Sequence, residues 1–130
     1  MEIIKVKTHK QNELIDITAE VENVVKRSKI KEGMCYIYVP HTTAGVLINE
    51  NADRSVSKDI LAALDKMVPL RQDFYSHMEG NSAAHIKSVL VGINKTIFIS
   101  DSKLCLGTWQ GVYFCEFDGP RRRDIYVKIF

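Results

Sequence analysis

The sequence predicts an α+β domain with strands at both ends of the chain and about three helices between them. Three observations predict it. The opening segment IIKVKTHK sets Ile4, Val6 and Thr8 against Lys5 and Lys7, the period of two that marks a strand. RSVSKDILAALDKMV, 54–68, repeats Val56, Ile60, Leu64 and Met67 at helical spacing. GVYFCEFD and RRDIYVKIF stand on either side of a DGP turn near the C-terminus. Such hairpin-like neighbours favour layers of antiparallel or mixed sheet over a parallel one.

The elements follow in order. A helix is expected from Thr18 to about Arg27, with Val21, Val24 and Val25 on one face, although its β-branched residues weaken helix propensity. MCYIYVP, 34–40, is a strand with Cys35, Ile37 and Val39 on one side and Tyr36 and Tyr38 on the other; Pro40 ends it. A second strand, roughly Gly45 to Asn49, comes after HTTA. Asp53 is placed to cap the long helix, and Pro69 to close it. Residues 70–81 read as polar loop. A short helix runs from Ser82, its expected cap, to about Val91. Ile86, Val89 and Leu90 are its expected core face, and Gly92 is expected to end it in the left-handed conformation. KTIFIS, 95–100, is a strand, and DSKL a turn.

Length and composition bound the function. A chain of 130 residues suits one domain, 1–130, with its own core. Hydrophobic residues at 45% and charged residues at 26% are ordinary for a globular protein, and a net charge of +2 announces neither nucleic acid nor membrane as partner. No apolar run approaches the roughly 20 residues that cross a bilayer, and the alternating N-terminus does not read as a signal peptide. Three cysteines without a C-x-x-C, each among apolar neighbours, fit small hydrophobes in a reducing cytoplasm. Neither G-x-x-x-x-G-K nor G-x-G-x-x-G occurs, so no nucleotide cofactor is expected.

Polar residues that could carry chemistry fall in three stretches. HTTAG places His41, Thr42 and Thr43 in a loop able to hold an anion through hydroxyls and backbone N–H groups, or to serve as a plain turn. HMEGNSAAH brackets Glu79 and Asn81 with His77 and His85. Its spacing matches no standard zinc signature, and two solvated histidines are the simpler reading. In LGTWQGVYFCEFDGPRRR, Trp109 and Gln110 lie between glycines and Glu116 interrupts an apolar strand. There a carboxylate must find solvent, a partner or work to do. At most two of Arg121, Arg122 and Arg123 can share a site, because strand residues alternate faces. NEN, 49–51, adds Glu50 at a strand end.

HTTAGVLINENAD, HMEGNSAAHIKSVLVG and LGTWQGVYFCEFDGPRRR, in this order across the chain, closely resemble the YjbQ-like family, often labelled secondary thiamine-phosphate synthase. The resemblance implies a compact α+β homotrimer with polar sites near subunit boundaries. It implies a divalent metal, by expectation zinc, on His41, His77 and His85. Glu50, Glu116, Trp109 and Gln110 become candidate catalytic groups. Thr42, Thr43, Asn81, Arg121 and Arg123 become candidates for holding a phosphorylated substrate. The implied reaction joins an aminopyrimidine methyl diphosphate to a thiazole phosphate and releases pyrophosphate, with Trp109 stacked on the pyrimidine. The alternative is a homotrimer that binds metal or anion without catalysis.

Overall fold

The computed structural model describes residues 1–130. Its elements are β1 (Glu2–Lys7), β2 (Glu13–Asp16), α1 (Thr18–Ser28), β3 (Gly33–Tyr38), β4 (Ala44–Glu50), α2 (Arg54–Met67), α3 (Ser82–Val91), β5 (Asn94–Ser100), β6 (Lys103–Leu104), β7 (Gln110–Glu116) and β8 (Arg122–Ile129). They form two antiparallel sheets, one ordered β1-β8-β3-β5-β6 and the other β2-β7-β4. The α+β class with three helices is as the sequence predicts. The short strand β6 lies in the DSKL stretch expected as a turn, and β2 falls where no element is expected; at two and four residues they are too brief to show a period.

The alternation of β3 decides its orientation. Cys35 and Ile37 are sealed inside with Val39, and Tyr38 stacks on Tyr126 of β8 on the outer side, ring centroids 6.3 Å apart. The inner faces of both sheets share one core with Val21, Val24 and Val25 of α1. β7 is the middle strand of the smaller sheet, and every residue from Gly111 to Glu116 is buried. Its inward residues, Val112 and Phe114, enter the main core. Cys115 and Phe117 point the other way, into a second cluster with Ala84 of α3. Glu116 therefore sits at the end of a strand that has no wet face.

The helices depart from expectation in instructive ways. Asp53 caps α2 by accepting from the Ser55 N–H at 2.9 Å, yet α2 has no fully buried residue and Met67 is exposed rather than in the core. In α3 the expected core face is the outer face: Ile86, Val89 and Leu90 are exposed, and Ala83, Ala84, Lys87 and Ser88 are buried. The cause is close packing on β4. A Cβ on Gly45 would lie 2.7 Å from the Gly92 carbonyl oxygen, so only glycine admits α3 at this distance. Ser88 Oγ donates to the Ala44 carbonyl at 2.6 Å and fixes the contact. Ala83, Ala84 and Ser88 are thus buried with Lys87, whose Nζ is tied to Asp65 and Asn12, and the large apolar residues Ile86, Val89 and Leu90 are turned outward. Ser82 is not the cap; Asn81 holds that position, without a capping side-chain hydrogen bond. Gly92 has φ 93° with ψ 159°, a glycine conformation but not the left-handed helical one expected. Cys35 and Cys115 are buried; Cys105 is exposed, contrary to its apolar setting in sequence. Burial pushes the Cys35 thiol up to about 11 and the Cys115 thiol upward as well, so both are inert packing groups. No helix is long and apolar enough to cross a membrane.

Candidate functional site

β7 ends in a buried ion pair that organises the neighbourhood. Glu116 is fully buried, and Arg123 is 6% exposed. They pair because β7 and β8 belong to different sheets whose ends meet beside the Asp118–Pro120 turn. Arg123 Nε donates to Glu116 Oε1 at 2.9 Å, and Nη2 donates to Oε2. Thr8 Oγ1 donates to Glu116 Oε1 at 2.8 Å, and the Asp118 N–H to Oε2 at 3.1 Å. Burial, the largest single influence, pushes the Glu116 carboxyl up. The donors from Arg123, Thr8 and Asp118 outweigh it, and the net value lies below the ordinary one. Arg123 Nη2 also donates to Thr43 Oγ1 at 2.9 Å, which ties β8 to the HTTAG loop.

Around this pair opens a cleft of about 470 Å³ with no hydrophobic residue in its lining. His41, Thr42 and Thr43 come from the β3–β4 loop. His77 and Glu79 come from the loop before α3, Asn81 and His85 from the first turns of α3, and Asp118, Arg121 and Arg123 from the final turn and β8. The structure thus gathers eight candidate residues in one place: His41, Thr42, Thr43, His77, Asn81, His85, Arg121 and Arg123. Arg122 is outside, as strand alternation requires.

The three histidines differ. His77 and His85 lie edge to face, ring centroids 5.2 Å apart, and Glu79 Oε1 is 3.8 Å from His77 Nε2. His41 is tied to the other wall, where its Nε2 accepts the Asp124 backbone N–H at 2.9 Å. Burial, then the nearby Arg123 guanidinium, holds the His41 imidazole below its ordinary value. Asn81 Nδ2 donates to Asp118 Oδ2 at 2.8 Å, and Asn81 Oδ1 is buried with no partner. Arg121 bonds Asp118 through Nη2 at 3.0 Å and through Nε to the Asp118 carbonyl at 2.7 Å.

These groups fit a divalent cation in part. His77 and His85 offer two imidazoles side by side, Glu79 a carboxylate within reach, and the orphaned Asn81 oxygen a neutral donor. No three His, Cys, Asp or Glu side chains already converge at ligating geometry, so Glu79 would have to swing in. His41 does not fit the expected ligand set. Its one free lone pair is spent on Asp124, which leaves the expected trio as a pair plus a separate residue.

Four expected site residues stand differently. Glu116 is sealed by its partners, holds Arg123 and does not line the cleft. Glu50, Trp109 and Gln110 gather at the opposite end of β7, since Glu50 is paired with Gln110 and Ala44 with Glu116. Six strand positions separate them from the cleft, about 20 Å. There Trp109 is 63% exposed, and Gln110 Oε1 accepts the Gly107 N–H at 2.8 Å to close its own turn. Within one chain the ring beside the cleft is instead Phe74. A neighbouring hollow lined by Phe74, Tyr75 and Ile86 shares His77 and His85 with the polar cleft. Phe74, which is exposed, and the partly buried Tyr75 lie in the stretch read as polar loop, where two adjacent aromatic residues are the sequence signal. Thr8 and Asp118 carried none: their roles arise from contacts across more than 100 and 30 residues of chain, respectively.

Comparison with known proteins agrees across the whole chain. Residues 2–130 match the family model described as UPF0047 protein YjbQ-like. The chain is similar to UPF0047 protein MJ1081 of Methanocaldococcus jannaschii, 57% identical over 96% of this chain and 90% of that protein. It is 50% identical to UPF0047 protein YugU of Bacillus subtilis over 99% and 98%. Its fold superposes on the crystal structure of an uncharacterized conserved YjbQ/UPF0047 protein from Clostridium acetobutylicum with a TM-score of 0.98, at 51% identity and full coverage of both chains. On the conserved hypothetical protein TT1486 of Thermus thermophilus the score is 0.93 at 36% identity, again with full coverage of both. The chain belongs to the YjbQ-like UPF0047 family.

Proposed function

We propose that the polar cleft binds a small phosphorylated metabolite together with a divalent metal, and that the protein carries a weak thiamine-phosphate-synthase-like activity. The observation that supports this most is the lining. Three histidines, two arginines and two threonines converge where no hydrophobic residue intrudes, and a hollow bearing Phe74 adjoins them through shared walls. A substrate with a phosphate at one end and a ring at the other matches that pairing of surfaces. His77 and His85, with Glu79 and the free oxygen of Asn81, would hold the metal, zinc by the donor chemistry. When bound, such an ion supplies positive charge that stabilises a departing diphosphate. The chain's own residues do the rest. Arg121 and Arg123 orient phosphate oxygens, Thr42 offers a hydroxyl, and the Phe74 hollow shields the ring from water.

Self-association belongs to the same reading. The outward stripe of α3, with Val89 82% and Leu90 56% exposed beside the cleft, favours a homotrimer whose sites lie near subunit boundaries. Glu50, Trp109 and Gln110 would join a cleft only from a neighbouring copy. Free cysteines favour the cytoplasm.

The test is formation of thiamine phosphate from the aminopyrimidine methyl diphosphate and the thiazole phosphate, with zinc- or magnesium-loaded protein. Slow, metal-dependent product that His85→Ala abolishes is expected. No product above the uncatalysed rate from folded, metal-loaded protein would leave the second reading, a metal- or anion-binding trimer. The burial of Glu116, which removes one expected acid–base group from the cleft, is what favours that reading.

A further inference from the structure

Two side chains of the cleft are fixed so that each can only donate. In Arg123, Nε and Nη2 are consumed by Glu116 and Thr43. Nη1 has no partner in the chain and is not sealed from solvent, and Arg123 lines the cleft. In His41, Nε2 accepts the Asp124 N–H at 2.9 Å. A backbone N–H has no other role than donor, so that nitrogen carries the lone pair and the ring proton resides on Nδ1. Nδ1 has no partner in the chain and is likewise not sealed. The two donors are coupled through the chain, because Asp124, which holds His41, follows Arg123 in β8.

We propose that His41 is an oxyanion donor and not a metal ligand, and that its Nδ1–H and Arg123 Nη1 form a phosphate subsite that works without metal. Glu116, Thr8 and Thr43 act as positioning residues for Arg123. This rests on the reading of the cleft as the ligand site and divides it in two. One half, from the β3–β4 loop and β8, takes the phosphate; the other, His77 and His85, is left for a cation. Phosphate is favoured over carboxylate by the geometry of the guanidinium. Its side-on fork is filled by Glu116, and its end-on fork is half filled by Thr43, so no planar carboxylate can pair with two nitrogens there. A tetrahedral anion can take one bond from Nη1 and another from the histidine. Because Arg123 is already neutralised by Glu116, and Arg121 is paired with Asp118, recognition comes from aimed donors and not from net charge.

The test is calorimetric titration of chelator-treated, metal-free protein with inorganic pyrophosphate, phosphate and acetate, and separately with zinc. Wild type should bind pyrophosphate and phosphate at least ~10-fold tighter than acetate without metal. His41→Ala and Arg123→Lys should each weaken phosphate by ~10-fold, one charge-assisted or aimed bond's worth. The His77→Ala, His85→Ala double variant should keep metal-free phosphate binding within ~3-fold while losing zinc, and His41→Ala should keep zinc within ~3-fold. Loss of zinc in His41→Ala with phosphate binding unchanged would overturn the assignment, as would phosphate binding only after zinc is added. Imidazole ¹⁵N shifts of wild type give a readout that no misfolded variant can confuse. A protonated Nδ1 on His41 that moves on adding phosphate is expected, and a protonated Nε2 overturns the proposal. Phosphate binding that persists while no sample takes up zinc upholds the subsite and overturns the metal part of the proposed function alone.

Discussion

Glu116→Gln should be the most damaging conservative substitution in the molecule. The carboxylate is fully buried and accepts four hydrogen bonds, two from Arg123, one from Thr8 and one from the Asp118 N–H. An amide in its place turns an NH₂ toward donors and leaves the 6%-exposed Arg123 without its counter-charge. Removing one partner of a buried pair typically costs about 3–5 kcal/mol, because the remaining charge stays buried and unpaired. A domain of this size has only about 5–15 kcal/mol in total, so the midpoint of thermal unfolding should drop by roughly 10–20 °C. Urea unfolding followed by circular dichroism gives the free energy directly. Glu116→Leu combined with Arg123→Met should be clearly less destabilised than Glu116→Gln alone, since two apolar chains of similar volume leave only Thr8, Thr43 and one N–H to find water. A cost under about 1 kcal/mol for Glu116→Gln, or a double variant no more stable than Glu116→Gln, would refute the view that this pair is a desolvated, mutually dependent unit.

Gly45→Ala should cost about 1–3 kcal/mol in the same urea assay, because the new methyl would press at 2.7 Å on the Gly92 carbonyl and push α3 off β4. Acid should act through two groups with the same sign. The folded pKa values of Glu116 and His41 both lie below their ordinary values, so the unfolded chain binds the extra protons. The His41 contribution is complete above about pH 6.5 and is lost as the pH falls through its folded value; that of Glu116 is complete above about pH 4.3 and is lost below it. Urea midpoints measured from pH 8 to 3 should therefore fall in both windows, with His41→Gln flattening the upper one and Glu116→Gln the lower. Val89→Glu, on the outer stripe of α3, should leave the unfolding free energy of the isolated chain within about 0.5 kcal/mol and lower the mass seen by light scattering; unchanged mass would remove α3 from the interface.

Much of this fold was legible because its longer elements obey one period each. β3 alternates cleanly since one face meets the core and the other meets Tyr126, and α2 announces itself through Asp53 and its spaced apolar residues. α3 misled for a physical reason. Its large apolar residues look like a core face, but the helix lies against Gly45 and buries Ala83, Ala84, Lys87 and Ser88 instead of Ile86, Val89 and Leu90. Sequence shows which residues are apolar and not which side has room for them. The cleft was legible as a set of residue types. His77 and His85 are eight positions apart and meet, because a tight turn at Gly80 folds the loop back on α3. What could not be read was the division of labour. That Glu116 faces Arg123 depends on a turn across seven positions bringing the ends of two different sheets together, and that His41 spends its lone pair on Asp124 depends on a contact across 83 residues of chain. Gln110 and Trp109 are catalytic candidates by resemblance alone, and the length of β7 sets them apart from Glu116 and the cleft.

The central claim is that HTTAG, HMEGNSAAH and the RRR turn build one ligand cleft whose His77–His85 wall takes a metal. Elemental analysis of the purified protein, beside the His77→Ala, His85→Ala double variant, tests it most directly. About one divalent ion per chain is expected in the parent and none in the variant, with the circular dichroism of the two superimposable. A parent that holds no metal, even after reconstitution with zinc, would contradict it.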